Sequence, residues 1–221
     1  LFTRAFFPGH QVWVMTGMYL LGIVVAICAG LVLKRTVFHG DAAPFIMELP
    51  AYRLPTPANV LRQMWDKAKD FLQRAFTVIF LATLIVWFLQ NFTFRLEMTS
   101  EIGESMLGKI AGLIAPVFAP AGFGSVEAST AVLTGLMAKE SVVSTLTVLL
   151  GGNETNIAML FTPLTALVFL VFSLLYTPCV AAIAAIRREV GSAWRAAAIC
   201  LSQCCVAWLC AFVVYGLIRL I

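Results

Sequence analysis

AVLTGLMAKESVVSTL, residues Ala131 to Leu146, is an apolar segment that carries an ammonium and a carboxylate side by side, Lys139 and Glu140. An ionised side chain at bilayer depth costs roughly 2.5–3.5 kcal/mol on insertion scales and more in simulations, so such groups usually face a cavity or pathway. If Ala138 to Leu149 is helical, Glu140, Ser144 and Thr147 fall at i, i+4 and i+7, one stripe of oxygen atoms on a helix of small residues. Ser141 and Thr145 add hydroxyls beside it. The stripe suits a hard or borderline cation, which Glu140 would neutralise while the hydroxyls replace part of its hydration shell. Lys139 would then be a counter-ion or gate. The competing reading puts both charges at a hairpin tip or snorkelling to the surface.

The remainder of the chain supports membrane depth for this stretch. Of 221 residues, 61% are hydrophobic and 12% charged, with a mean hydropathy of +0.95, whereas soluble domains carry roughly 25% charged residues. The fold class expected is all-α, a polytopic transmembrane helical bundle with a re-entrant or broken-helix gate module. Helices satisfy their own backbone in lipid, and the alternating pattern of a barrel is absent. Leu1 is not an initiator methionine and Leu1 to His10 is not a signal peptide, so a piece of a longer protein is expected. The six cysteines lie in apolar segments, which argues against an extracellular disulfide framework. A net charge of +4, scattered along the chain, gives no reason to expect nucleic acid as a partner. No phosphate-binding glycine loop, HExxH or Ser/His/Asp arrangement is present, so neither catalytic residues nor a cofactor are expected.

The chain divides by composition. Residues 1–33 hold a first transmembrane helix, the apolar run Gln11 to Leu33, whose Gly17, Gly22, Ala26, Ala29 and Gly30 make a small-residue face for close packing. Residues 34–57 form a cytoplasmic loop broken by Pro44, Pro50, Pro55 and Pro57. Residues 58–92 join an amphipathic interfacial helix, basic on balance, to a second spanning helix. Residues 93–125 read as an outer segment, with Glu101 to Phe118 amphipathic along the surface. Residues 126–221 read as a gate-like module of interrupted helices closed by a final span, Ala193 to Arg219. Seven Lys/Arg fall between Lys34 and Arg74, and Arg187, Arg188 and Arg195 cluster later. The positive-inside bias therefore places both regions in the cytoplasm and Asn91 to Glu127 outside. An odd number of crossings must separate Asn91–Glu127 from Arg187. Of the two apolar regions between them, Ala128–Leu150 is taken as the re-entrant hairpin and Ile157–Ile186 as the crossing.

The second region is interrupted at Tyr176-Thr177-Pro178-Cys179. Pro178 frees backbone carbonyls one turn earlier, and Cys179 adds a soft sulfur at the same break, a donor set suited to a transition metal. A broken helix at that depth is tolerated only where it is buried in protein or lines a wet cavity. The expected transport path is thus Lys139, Glu140, Ser141, Ser144, Thr147, Thr177 and Pro178, with Glu140 and Cys179 as metal ligands. Cys200 and Cys204, at i and i+4 with Cys205 and Cys210 nearby, have no His or carboxylate in their own helix to complete a closed shell and read as packing residues.

MELPAYRLPTPANVLRQMW (Met47 to Trp65), LTGLMAKESVVSTL (Leu133 to Leu146) and YTPCVAAIAAIRRE (Tyr176 to Glu189), in this order and spacing, closely resemble the C-terminal part of the membrane domain of the bacterial ferrous iron transport protein B (Feo) family. The resemblance covers nearly the whole chain. It implies a multi-pass Fe(II) uptake permease of the bacterial inner membrane, with Fe(II) as substrate. A GTPase domain using GTP and Mg, and a first gate module, are implied ahead of Leu1. The partners it implies are membrane lipid, those two parts of the same protein, small accessory Feo proteins and further copies of the chain. It supports Glu140, Ser141, Ser144 and Cys179 as pathway residues. Rival readings are a gate-type permease for nucleosides or another solute, and a membrane scaffold that transports nothing.

Overall fold

A computed structural model describes residues 2–36, 56–74, 76–77, 80–99, 101–137, 139, 141–149, 157–177 and 179–220. The Pro-rich loop expected over 34–57 lies, for residues 37–55, outside the described residues. Among those described the chain is helical throughout, apart from turns and one isolated bridge between Phe92 and Met98.

Helix α1 (Phe2–Phe6) leads into α2 (Gln11–Thr36). None of the most apolar window of α2 is buried inside the protein, and Trp13 and Tyr19 are exposed. A helix apolar on every side and largely uncovered is dressed for lipid. Of its glycines, Gly22 lies where a Cβ would touch Leu174, while Gly17 and Gly30 have nothing within 4 Å. Of the glycines in the expected small-residue face, only Gly22 meets a neighbour among the described residues.

Helix α3 (Pro57–Arg74) opens with Val60 N–H donating to the Thr56 carbonyl, proline occupying the first turn, where a missing N–H costs nothing. Helix α4 (Phe80–Asn91) follows and carries apolar side chains on all faces. After α4 the chain turns through Leu96, at φ +60, and Ser105 caps α5 (Met106–Phe118) by accepting from Gly108 N–H. Helix α5 differs from the surface segment expected over Glu101 to Phe118. Leu107, Gly108, Ala111, Ala115 and Phe118 are buried and the helix packs along the next one. Lys109 pairs with Glu104, just ahead of the helix, at its exposed start, and the opposite face buries while Leu113 and Val117 stay exposed.

A tight turn over Ala119–Ala121, with Gly122 at φ +83 against the Tyr215 ring, turns the chain by 104° into α6 (Val126–Gly135). Helix α6 is nearly all buried. Its inward hydroxyls, on Ser129, Thr130 and Thr134, return to carbonyls three or four residues back, so they demand no outside partner. Helix α7 (Ser141–Leu149) packs back on α6. The region expected as a hairpin is thus two packed helices of 10 and 9 residues, each about 15 Å long and half a bilayer core.

Short α8 (Ile157–Leu160) precedes α9 (Pro163–Leu175), which starts from a capping box of Thr162 and Thr165. Helix α10 (Val180–Val190) ends at Gly191, and α11 (Ala193–Leu220) packs most extensively on α9. Phe118, Phe123, Phe161, Phe169 and Phe172 interlock with ring centroids 5.0–5.5 Å apart and tie α5, α9 and the α5–α6 turn into one core. Trp208 Nε1 donates to the Val117 carbonyl at 2.8 Å and fastens α11 to the end of α5. Among the described residues three helical segments are long and apolar enough to cross a membrane, α2, α9 with α10, and α11, and a fourth if the bent pair α5–α6 counts as one span. The protein is an integral membrane, all-α bundle containing a bent helix pair.

Candidate functional site

The break between α9 and α10 is where polar groups converge. Tyr176 leaves the helix in extended geometry (φ −67, ψ 170), its N–H still donating to Phe172 O. Cys179 is extended too (φ −61, ψ 160) and starts α10, with its carbonyl accepting from Ala182 and Ile183. The proline at position 178, itself outside the described residues, has no N–H to return to Leu174 O one turn back.

Three elements hold the break. From the α6–α7 turn, Lys139 Nζ donates to the carbonyls of Ser173 at 3.1 Å, Leu174 at 3.1 Å and Tyr176 at 3.3 Å, and lies 4.9 Å above the centre of the Tyr176 ring. From the end of α6, Leu136 O accepts the Val180 N–H at 2.8 Å, and Val132 O accepts the Tyr176 hydroxyl at 3.4 Å. From α11, Cys200 O accepts the buried Thr177 hydroxyl at 2.8 Å, and Cys204 Sγ lies 2.9 Å from the same oxygen. The threonine proton is spent on Cys200 O, so the thiol is the donor in the second contact.

Gly135 makes this closeness possible. A Cβ there would collide with the Tyr176 hydroxyl and with Val142 Cγ2, so only the bare backbone lets the tyrosine reach α6.

The residues picked out from sequence are distributed unequally. Lys139, Thr177 and Cys179 meet at the break, and Cys179 is half-buried with its side chain unused as a helix cap. Glu140 and Pro178 lie outside the described residues. Ser144 is exposed and donates to Ser141 O at 3.3 Å; Thr147 donates to Val143 O at 3.0 Å. These hydroxyls are returned to their own helix, and among the described residues no hydrogen bond carries them to the break. Among the described residues, three His, Cys, Asp or Glu side chains do not gather there to close a metal shell. The break offers two partly buried thiols, Cys179 within it and Cys204 against Thr177, together with backbone carbonyls.

Sequence reasoning missed the α9–α11 seam. Ser173 Oγ and Gln203 Oε1 are buried with no hydrogen-bond partner among the described residues, an expensive condition away from water. Gln203 had a signal: it is an amide inside the apolar run Ala193 to Leu220. Cys200 and Cys204, read as packing residues, instead hold Thr177 by a carbonyl and a thiol.

Residues 15–67 match the family described as the ferrous iron transport protein B C terminus, and residues 72–193, more than half the chain, match the Gate family described as nucleoside recognition. The chain is 35% identical over 204 residues to a Fe(2+) transporter FeoB of Staphylococcus aureus (strain COL), covering 90% of this chain and 31% of that protein. It is 35% identical over 205 residues to the Fe(2+) transporter FeoB of Methanocaldococcus jannaschii, covering 88% and 30%. A fusion of Fe(2+) transport protein A with Fe(2+) transporter FeoB from Porphyromonas gingivalis is 32% identical over 268 residues, covering 97% and 32%. The chain therefore spans about a third of the length of these curated relatives. No solved structure matches it.

Proposed function

The chain belongs to the ferrous iron transport protein B family, as part of its C-terminal membrane region, and from that premise we propose that it forms half of a Fe(II) path through the bacterial inner membrane, as a multi-pass permease part rather than an enzyme. The observation that carries the reading is the span Pro163–Val190, interrupted at Tyr176–Cys179 with a thiol at the interruption. Iron(II) is labile and among the more weakly held first-row ions, so one sulfur, nearby carbonyl oxygens and water suit its passage better than a closed cage. Glu140, known here from sequence alone, supplies the carboxylate of the same path. The curated relatives extend well beyond the matched third, and in this reading a GTP-driven domain elsewhere in the same protein opens the path. The Porphyromonas gingivalis fusion supports a small accessory Feo protein as partner.

The test uses the full-length protein in proteoliposomes. Cys179→Ser should lower Fe(II) uptake roughly tenfold or more, the scale seen when a metal site loses one supporting group, at unchanged abundance. Wild-type uptake in that variant rejects the path. A second reading, a nucleoside permease, is favoured by the description of the Gate family over residues 72–193. Radiolabelled uridine in the same vesicles decides it: uptake of uridine without Fe(II) replaces the first reading by the second.

A further inference from the structure

A lysine ammonium has three protons to give and no acceptor, and Lys139 Nζ meets three carbonyls, those of Ser173, Leu174 and Tyr176. All three belong to the last turn of α9 or the residue after it, where carbonyls lack an intrahelical N–H and the helix dipole is negative. The Tyr176 ring closes a further side with its negative face. Unwound carbonyls at the end of a half-helix are a recurrent way to coordinate a cation inside a membrane. Here the cation is covalently attached to the neighbouring element. It arrives from the turn that also accepts Val180 N–H at Leu136 O. Cys179 is therefore pinned on both sides from the α6–α7 turn: Tyr176 O is held by Lys139 and Val180 N–H by Leu136.

We propose that Lys139 is a tethered cation: its ammonium fills an oxygen site made by the Ser173, Leu174 and Tyr176 carbonyls over the Tyr176 ring, and by filling it Lys139 positions the Cys179 thiol. The inference rests on the Cys179 path above and gives Lys139 a role other than facing the permeating ion. The chemical class the site accepts follows from the geometry. N–H···O distances of 3.1–3.3 Å suit an ammonium-sized monovalent ion, so methylammonium should occupy the site once the side chain is cut back.

The experiment needs no iron, which keeps its failure separate from that of the path. Full-length protein carrying Cys179 as its sole cysteine, with Cys204→Ser to retain a donor to Thr177, is labelled in membranes with a maleimide. Lys139→Met, similar in length but neutral, should raise the Cys179 labelling rate about tenfold, the effect of losing one charge-assisted hydrogen bond. Lys139→Ala should show the same rise, and added methylammonium chloride, but not sodium chloride at equal ionic strength, should reverse it by at least half. Lys139→Gln provides the neutral comparison if the methionine variant does not accumulate. Wild-type labelling in a neutral variant that accumulates overturns the proposal. So does a raised rate in Lys139→Ala that methylammonium leaves unchanged, because the lysine would then be a spacer and not a cation. Raised labelling in the neutral variants together with wild-type uptake in Cys179→Ser rejects the iron path and leaves the cation site standing.

Discussion

At the residue scale, the two positions that constrain the break most tightly are a glycine and a threonine. Gly135→Ala would drive a methyl into the Tyr176 hydroxyl and Val142 Cγ2, and overpacking of this kind costs about 1–3 kcal/mol. Relief requires Tyr176 to withdraw, which also removes the ring beneath Lys139. We expect a lower unfolding midpoint in detergent and faster maleimide labelling of Cys179; no change in either would mean that α6 and α9 approach less closely than described. Thr177→Val keeps shape but deletes the bond to Cys200 O and the acceptor of the Cys204 thiol. Hydrogen bonds between membrane helices average about 0.6 kcal/mol and reach about 1.7, so the stability loss should be small while Thr177→Ser behaves as wild type. A larger fall in Fe(II) uptake than in stability for Thr177→Val alone would mark the hydroxyl as setting the path's geometry; parallel falls would mark it as packing.

At the scale of elements, legibility follows locality. The first span could be read because 23 apolar residues from Gln11 to Leu33 decide the matter without reference to the rest of the chain, and α2 covers Gln11–Thr36. The α9–α10 break could be read because a proline N has no proton wherever it sits. The amphipathic segment over Glu101 to Phe118 could not, since a single pair, Glu104–Lys109, neutralises charge that in sequence suggests a wet surface. What Lys139 does was equally hidden: its acceptors lie 34 to 37 residues away and are backbone atoms, which carry no signature in sequence. The site therefore splits between residues that announce themselves, Tyr176, Thr177 and Cys179, and residues recruited by packing, Leu136, Cys200 and Cys204. One element-level prediction tests whether α9 stands on its own start. Thr162→Ala removes the capping box and should cost about 1 kcal/mol, lowering the unfolding midpoint without changing Cys179 labelling, because the cap lies at the opposite end of the helix from the break.

For the molecule as a whole, helix lengths set which segments can cross. Helices α5, α6 and α7 have 13, 10 and 9 residues, about 20, 15 and 14 Å at 1.5 Å per residue, and none alone spans a hydrocarbon core of about 30 Å. The 104° bend between α5 and α6 fits either a broken span or a re-entrant loop, and α7 packs back on α6. By contrast α9 and α10 together cover 28 residues. The charge bias puts Arg187 and Arg188 in the cytoplasm, so the single crossing between the turn after α4 and Arg187 should be α9–α10, and the chain just before α9 should lie on the same side as the turn after α4. Impermeant maleimide on intact cells should therefore label Glu97→Cys and Met159→Cys, both exposed positions, and should leave Glu189→Cys unlabelled until the membrane is opened. Labelling of Met159→Cys only after opening would mean that α5, α6 and α7 carry the chain across. The half-span helices would then no longer form an inserted hairpin beside the break, and the path would have to be sought along a different face of α11.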